Sequence, residues 1–286
     1  MLPFAAVLAV AALGQTLVIQ QGGIDLSVPG AISLTVVVST RQAAGDDAKL
    51  LGAVALALGL VLIAGVINGY LIARRGLNPI IASLGTNALL YAVVIGLSQG
   101  IPRGTTDLLA SIMGDLTLGI PNSVFFAVAA VVIVTVTVKK SVAGRRFEAV
   151  GANTIAAWAA GLRAHRHGMG AYVWAMVLYW LAGVMLAGIV AQPTAFQGDE
   201  YLLSSVAAVV LGGTSLLGGR GFPVATAISA LFLTQLDQFV LALGTSTAIR
   251  TLVEAAALAV GIALHTVDWR GVWAKISVGR HAAAPG

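Results

Sequence analysis

Residues 139–170, KKSVAGRRFEAVGANTIAAWAAGLRAHRHGMG, decide how the whole chain is read. Lys139, Lys140, Arg145, Arg146, Arg163 and Arg166 stand there against a single acid, Glu148, with apolar runs of membrane-helix character on both sides. Basic loops stay on the cytoplasmic side of a membrane, so the stretch is expected to be a cytoplasmic loop that orients everything else. Its middle, Asn153 to Leu162, reads as a short helix. Asn153 suits the N-cap, and Ile155, Trp158, Ala159 and Leu162 fall at i, i+3, i+4 and i+7 on one apolar face. So short a helix does not hold itself together in water and needs a partner surface. Two surfaces compete: the protein's own body with the lipid headgroups, and a cytoplasmic partner.

The 286 residues are 58% hydrophobic and 9% charged, with a mean hydropathy of +0.96. Soluble domains carry about 25% charged residues, so the composition implies an all-α polytopic membrane protein. The expected organisation is one transmembrane domain over residues 1–286, with 139–170 as a cytoplasmic loop and 266–286 as a cytoplasmic tail. The net charge of +5 sits mainly in loops and reports topology rather than nucleic-acid binding. The absence of cysteine excludes disulfides, thiolate metal sites and cysteine catalysis. His165, His167, His265 and His281 have no partner at metal-ligand spacing, so neither a metal site nor a catalytic residue is expected.

Outward from the basic stretch, residues 4–20 read as a retained membrane helix broken at Gln20-Gln21-Gly22-Gly23. Asp25 follows between apolar runs. A carboxylate at that depth must face protein or water; Asp25 or Ser27 is expected first to cap a helix running to about Ser39, with Pro29 in its first turn. The second reading places this break along a translocation path. Arg41–Lys49 reads as a loop, Leu50–Ala73 as a helix ending in Arg74-Arg75, and 79–98 as the next span, with Ser83, Gly85, Thr86 and Asn87 as a small polar patch. Gln99–Asn122 reads as an external loop, Ser123–Val138 and Gly170–Val190 as helices, and Gln192–Ser204 as external. Ser205–Leu217 is too short for a simple span and is expected to be broken or re-entrant, leading into a glycine-dense hinge at 212–221. No Gly-Lys-Ser/Thr ending occurs, so any ATP must be bound by another polypeptide. Phe222–Leu243 carries Thr234, Gln235, Asp237 and Gln238; the last helix runs to about Leu264, with Arg250 and Glu254 spaced to pair. The basic segments then share one side. Eight or nine crossings result, depending on whether 4–20 and 24–40 are one broken pass or two.

These stretches together carry a resemblance. ALGQTLVI and GGIDLSV within 12–28, NGYLIARRGLNPIIASLGT at 68–86, VGAN, AA and GL within 150–162, QPT at 192–194 and AAVVLGGTSLLGGRG at 207–221 resemble the permease subunits of bacterial ABC importers of the ribose/xylose/galactose type. The resemblance runs from about Ala5 to Leu264. It implies a multi-pass protein of the inner or plasma membrane that imports a monosaccharide and performs no chemistry. Its implied partners are a cytoplasmic ATP-binding subunit holding ATP and magnesium, an external sugar-binding protein, and a second permease chain, identical or related. The chain itself would bind no cofactor. Gly151, Asn153, Ala156, Ala157, Trp158 and Gly161 would couple to the ATPase; Asp25, Ser27, Asn68, Thr86, Asn87, Thr214 and Gln235 are the path candidates. Departures from the family pattern are Pro29 in place of a glycine, Ile155 in place of an acid, Leu202 and Ser204 where acids are usual, and no counterpart of the family's usual first helix. Two alternatives stand beside this reading: the same architecture for a branched-chain amino acid or nucleoside, and a secondary transporter or channel using Asp25, Asp237 or Glu254.

Overall fold

The structure, a computed structural model, describes residues 1–99, 103–244 and 246–266. Its helices are α1 (Leu2–Gln20), α2 (Val28–Ala43), α3 (Asp47–Gly69, continued by a π-helical turn Tyr70–Arg74), α4 (Pro79–Ser98), α5 (Asp107–Gly114), α6 (Asn122–Thr135, continued by a π-helical turn Val136–Lys140), α7 (Val142–Ala152), α8 (Thr154–Ala159), α9 (Ala164–Ile189), α10 (Tyr201–Leu211), α11 (Pro223–Ala242) and α12 (Thr247–Thr266). A two-residue hairpin pairs β1 (Leu116–Thr117) with β2 (Ile120–Pro121), Leu116 opposite Pro121. Among the described residues, six helices are long and apolar enough to cross a membrane: α1, α3, α4, α6, α9 and α11. The protein is therefore a multi-pass, all-α membrane protein. The expected tail at 266–286 lies, beyond its first residue, outside the described residues, as do the side chains of Arg250 and Glu254.

One helix organises the rest. α1 is apolar on every side, and a helix of that kind belongs in an interior. It packs against α9, α11, α10 and α6, with 83% of its most apolar window buried. The corresponding share is 67% for α9 and only 28–33% for α3, α4, α6 and α11. The last four therefore present apolar side chains outward, as lipid-facing helices do. Interior helices approach through small residues: a Cβ on Gly14 would stand 2.5 Å from the Tyr179 ring, and one on Gly183 would stand 2.6 Å from Thr35 Cβ.

The bundle has two ends. At one, Gln21 Nε2 donates to Phe147 O of α7 at 2.9 Å and Lys139 Nζ lies 5.1 Å over the Phe222 ring. This end carries Arg74, Arg75, Lys140, Arg145, Arg146, Arg163 and Arg166, all exposed. At the other end, Phe4 and Leu8 line a cavity with Glu200, Tyr201 and Asp237, Arg41 donates to Ser98 O at 2.8 Å, and Leu108 N donates to Asp47 Oδ1 at 3.1 Å. α1 thus runs toward the basic end and α2 runs back from it.

Several expected boundaries move, each for a local reason. The loop expected at 41–49 shrinks to Ala44–Asp46, because α2 continues through Arg41 to cap α4 and Asp46 caps α3 by accepting from Ala48 N. The stretch 99–122, expected as plain loop, contains α5 and the hairpin; Leu109 and Met113 of α5 are buried where Gly188 leaves no room for a side chain. α9 begins at Ala164 rather than Gly170, and α7 occupies 142–152, where no helix was expected. α10 is short, as expected, and gives way to a non-helical hairpin over 212–222.

Gly14→Leu is expected to cost about 1–3 kcal/mol through overpacking against Tyr179, seen as a lower melting temperature in detergent. Gly59, whose Cβ position is open, serves as control: Gly59→Leu should leave the melting temperature unchanged.

Candidate functional site

Two constructions stand out, and both begin where α1 stops. The first is a buried polar seam. Asp25 Oδ1 accepts from Ser27 N at 2.9 Å and from the Ser27 hydroxyl. Asn68 Nδ2 of α3 donates to Ser27 Oγ at 3.2 Å, and Thr86 Oγ1 of α4 donates to Asn68 Oδ1 at 2.6 Å. Asp25, Ser27 and Asn68 are fully buried and Thr86 nearly so. Gln15, inside α1, lies 2.9 Å from the Tyr179 hydroxyl; with its amide turned so that the nitrogen donates to that hydroxyl, the nitrogen is also 3.3 Å from Asp25 O and the oxygen 3.2 Å from Asp25 N.

The expected capping role is corrected here. Ser27 is the N-cap residue of α2, but its side chain accepts from no helix N–H, and Asp25 serves the N–H of Ser27 itself. The N-terminus of α2 is capped from α4 instead: Gly30 N donates to Asn87 Oδ1 at 2.8 Å, and Leu26 N donates to Ser83 Oγ at 3.0 Å. Non-helical backbone at membrane depth persists only where protein or water satisfies it; here α4 does so, while Asn68 of α3 holds the Ser27 side chain. Pro29 sits in the first turn, as expected. Farther along α2, Ser33 Oγ accepts from Gly198 N at 2.9 Å, drawing the 190–200 segment into the bundle. Beside Gly198, the Asp199 carboxyl accepts from the Tyr91 hydroxyl, and its burial together with the neighbouring Glu200 charge holds it above the usual carboxylate range.

The second construction is a junction of backbones at the basic end. Gln20 O accepts from Gly219 N at 2.8 Å. Gly151, near the end of α7, lies directly against that same carbonyl, and a Cβ on Gly218 would stand 2.6 Å from Gly151 O. Gly218 and Gly219 hold φ of +89° and +83°, a region glycine enters without strain. Glu148 adds polar ties: it pairs with Lys139 at 2.5 Å and accepts from Gln20 Nε2 at 3.5 Å. α7 is thereby fastened to the end of α1 and to the hairpin before α11.

From this root projects α8. Asn153 caps it, accepting from Ala156 N at 2.9 Å, and Gly161, with φ of +81°, ends it. Ala157 is buried, whereas Ile155 is 80% exposed and Trp158 73% exposed. The two largest apolar side chains of α8 therefore find no cover on the protein's own body.

The sequence candidates fall into separate groups. Asp25, Ser27, Asn68 and Thr86 form one bonded chain, with Asn87 beside it. Thr214 closes the hairpin by accepting from Phe222 N at 3.2 Å, and Gln235 lies exposed on α11, away from the seam. Among the coupling candidates, Asn153, Ala156, Trp158 and Gly161 are exposed, Ala157 is tucked inward and Gly151 belongs to the junction. Sequence reasoning singled out neither Gln15 nor Tyr179 as a site residue and read Gln20 only as part of the helix break; a glutamine in the middle of an apolar run was the available signal. Among the described residues no group of histidines and carboxylates is placed to hold a metal ion.

A family model described as the permease component of branched-chain amino acid transport systems matches residues 1–262. The chain belongs to this permease family. The family consists of transport proteins and not enzymes. The permease is 36% identical over 259 residues to the ribose import permease protein of Bacillus subtilis, covering 88% of this chain and 79% of that one. It is 35% identical over 243 residues to a probable ABC transporter permease of Sinorhizobium fredii, covering 84% of this chain and 72% of that one. With the autoinducer 2 import permease LsrD of Photorhabdus temperata it shares 28% identity over 279 residues, 92% and 82% of the two chains. No solved structure matches the permease.

Asn68→Ala would leave the Thr86 hydroxyl without its acceptor in a dry interior, while the Ser27 hydroxyl keeps its bond to Asp25. The expected loss is about 1–3 kcal/mol, measured as thermal or denaturant stability in detergent. Gln235→Ala, on an exposed face, should stay within about 0.5 kcal/mol.

Proposed function

We propose that this permease is the membrane-spanning subunit of an ATP-driven ABC importer that carries a monosaccharide of the pentose or hexose type into the cytoplasm. One observation carries the coupling part of this reading: α8 presents Ile155 and Trp158 outward at the basic end while its root is bonded to the end of α1. Two exposed apolar side chains on a six-residue helix seek a protein surface. The partner is a cytoplasmic ATP-binding subunit, which holds the ATP and magnesium. Gly151, Asn153, Ala156, Ala157, Trp158 and Gly161 then divide the coupling work: Ile155 beside Trp158 makes the contact, Asn153 and Gly161 bound the helix, Ala157 seats it, and Gly151 passes its displacement to α1 and the 212–222 hairpin.

In this reading the basic end is cytoplasmic. α1 enters from outside, and the chain crosses nine times, in α1, α2, α3, α4, α6, α9, α10 with its hairpin, α11 and α12. The polar seam at Asp25, Ser27, Asn68, Thr86 and Asn87 holds the 21–27 break that borders the path, Thr214 shapes the hairpin on the same route, and Gln235 faces the channel formed with a second permease chain, identical or related. An external binding protein delivers substrate at the opposite end, near Glu200. Transport follows as a population shift between inward- and outward-open states.

The sugar assignment draws on the ribose import relatives. The autoinducer 2 relatives and the family description keep other solutes within the same architecture. Uptake in vesicles containing all subunits, with ribose against leucine as probes, discriminates them.

The test of coupling is co-purification of the ATP-binding subunit with tagged permease. Ile155→Glu with Trp158→Glu should abolish it, because burying each apolar side chain contributes about 1.5–3 kcal/mol, while the variant still elutes as folded protein. An ATPase that stays bound to the double variant, or never accompanies the native chain, overturns the coupling assignment.

A further inference from the structure

A groove of about 560 Å³ runs down the outer side of the bundle between α6 and α9, floored by Leu17 of α1. Ile133, Val134, Trp174, Leu178 and Leu181 wall it, and Ala143, Gly144 and Phe147 of α7 close its basic end. Arg166 and His167 line that end too. Arg146, exposed, adjoins the lining residue Phe147 on α7. None of the lining residues is acidic, and Glu148, next to Phe147 on α7, is already committed to Lys139 and Gln20. The groove is thus apolar along its length and positively charged at one end.

We propose that this groove is a binding site for one anionic phospholipid of the cytoplasmic leaflet, with an acyl chain between α6 and α9 and the phosphate at Arg166 and Arg146. The dimensions agree. From Arg166 to Leu181 is 15 residues of helix, about 22 Å at 1.5 Å per residue. From the bilayer midplane to the outer edge of the headgroups is about 20–22 Å. Charge then selects among lipids: each basic side chain near the surface favours an anionic headgroup about fivefold, whereas a zwitterionic headgroup gains little. Because α7 forms the wall nearest the headgroup, an occupied groove braces the segment from which α8 projects. The leaflet assignment rests on the orientation argued above; the lipid selectivity does not.

The test is native mass spectrometry of the full chain extracted from nanodiscs containing phosphatidylglycerol and phosphatidylcholine with identical acyl chains. Selective retention of one phosphatidylglycerol is expected. Arg146→Gln with Arg166→Gln should reduce it about twenty-five-fold without affecting phosphatidylcholine. Gly170 lines the groove with open space at its Cβ position, so Gly170→Leu fills the groove without clash and should remove the bound lipid while the fold persists. Equal retention of the two lipids, or retention unchanged by either variant, overturns the site. So does a second copy of the chain held through this face, seen as a dimer that Gly170→Leu disrupts. None of these outcomes depends on the ATP-binding subunit, so the site fails or stands separately from the coupling assignment.

Discussion

A single backbone carbonyl, Gln20 O, is the point on which the architecture closes. A helix end leaves carbonyls without intrahelical partners, and inside a membrane protein such a group must be met by protein or water. Gly219 N meets this one, and Gly151 packs against it. Three distant parts of the chain therefore share one locus: the end of the central helix, the root of the exposed helix α8, and the hairpin that redirects the chain from α10 into α11. Only glycine permits that approach, because a Cβ at Gly151, Gly218 or Gly219 would collide with backbone. The same contact links the root of α8 to the interior without a continuous helix between them.

The chain that leaves this junction has to turn back through the interior, and it does so with one Asp25 oxygen, Ser27, Asn68 and Thr86 bonded in series, while Asp25 Oδ2 is buried without a partner among the described residues. Asp25 is bound through Oδ1 by Ser27, Ser27 accepts from Asn68, and Asn68 accepts from Thr86. The Asp25 backbone is faced by Gln15. The same turn explains the small polar patch on α4: Ser83 and Asn87 serve the opening of α2 more than their own helix, although Ser83 bonds back to Pro79 O as well.

Much of the molecule was legible in its amino-acid order. The apolar runs placed the membrane helices, because a segment that must hide its backbone in hydrocarbon announces itself by composition. Asn153 as the cap of α8, the helix break after Gln20, the brevity of α10 and the glycine hinge at 212–221 were likewise readable, since capping and glycine chemistry act within a few residues. α5 and α7 were not, because each is short and amphipathic and takes its stability from distant surfaces: Gly188 of α9 for the one, Gln20 and Gly219 for the other.

The sequence by itself determined that this is a multi-pass α-helical membrane protein and where its basic segments lie. Those properties depend on local composition and on the solvent each segment can tolerate. Only the tertiary structure decided that the first helix is the core, that Asp25 is clamped, that α2 is capped from α4, and that Ile155 and Trp158 face outward while Ala157 faces in. Each of these depends on which surfaces meet across tens to hundreds of residues of chain, and packing geometry of that range leaves no periodicity in the sequence to read.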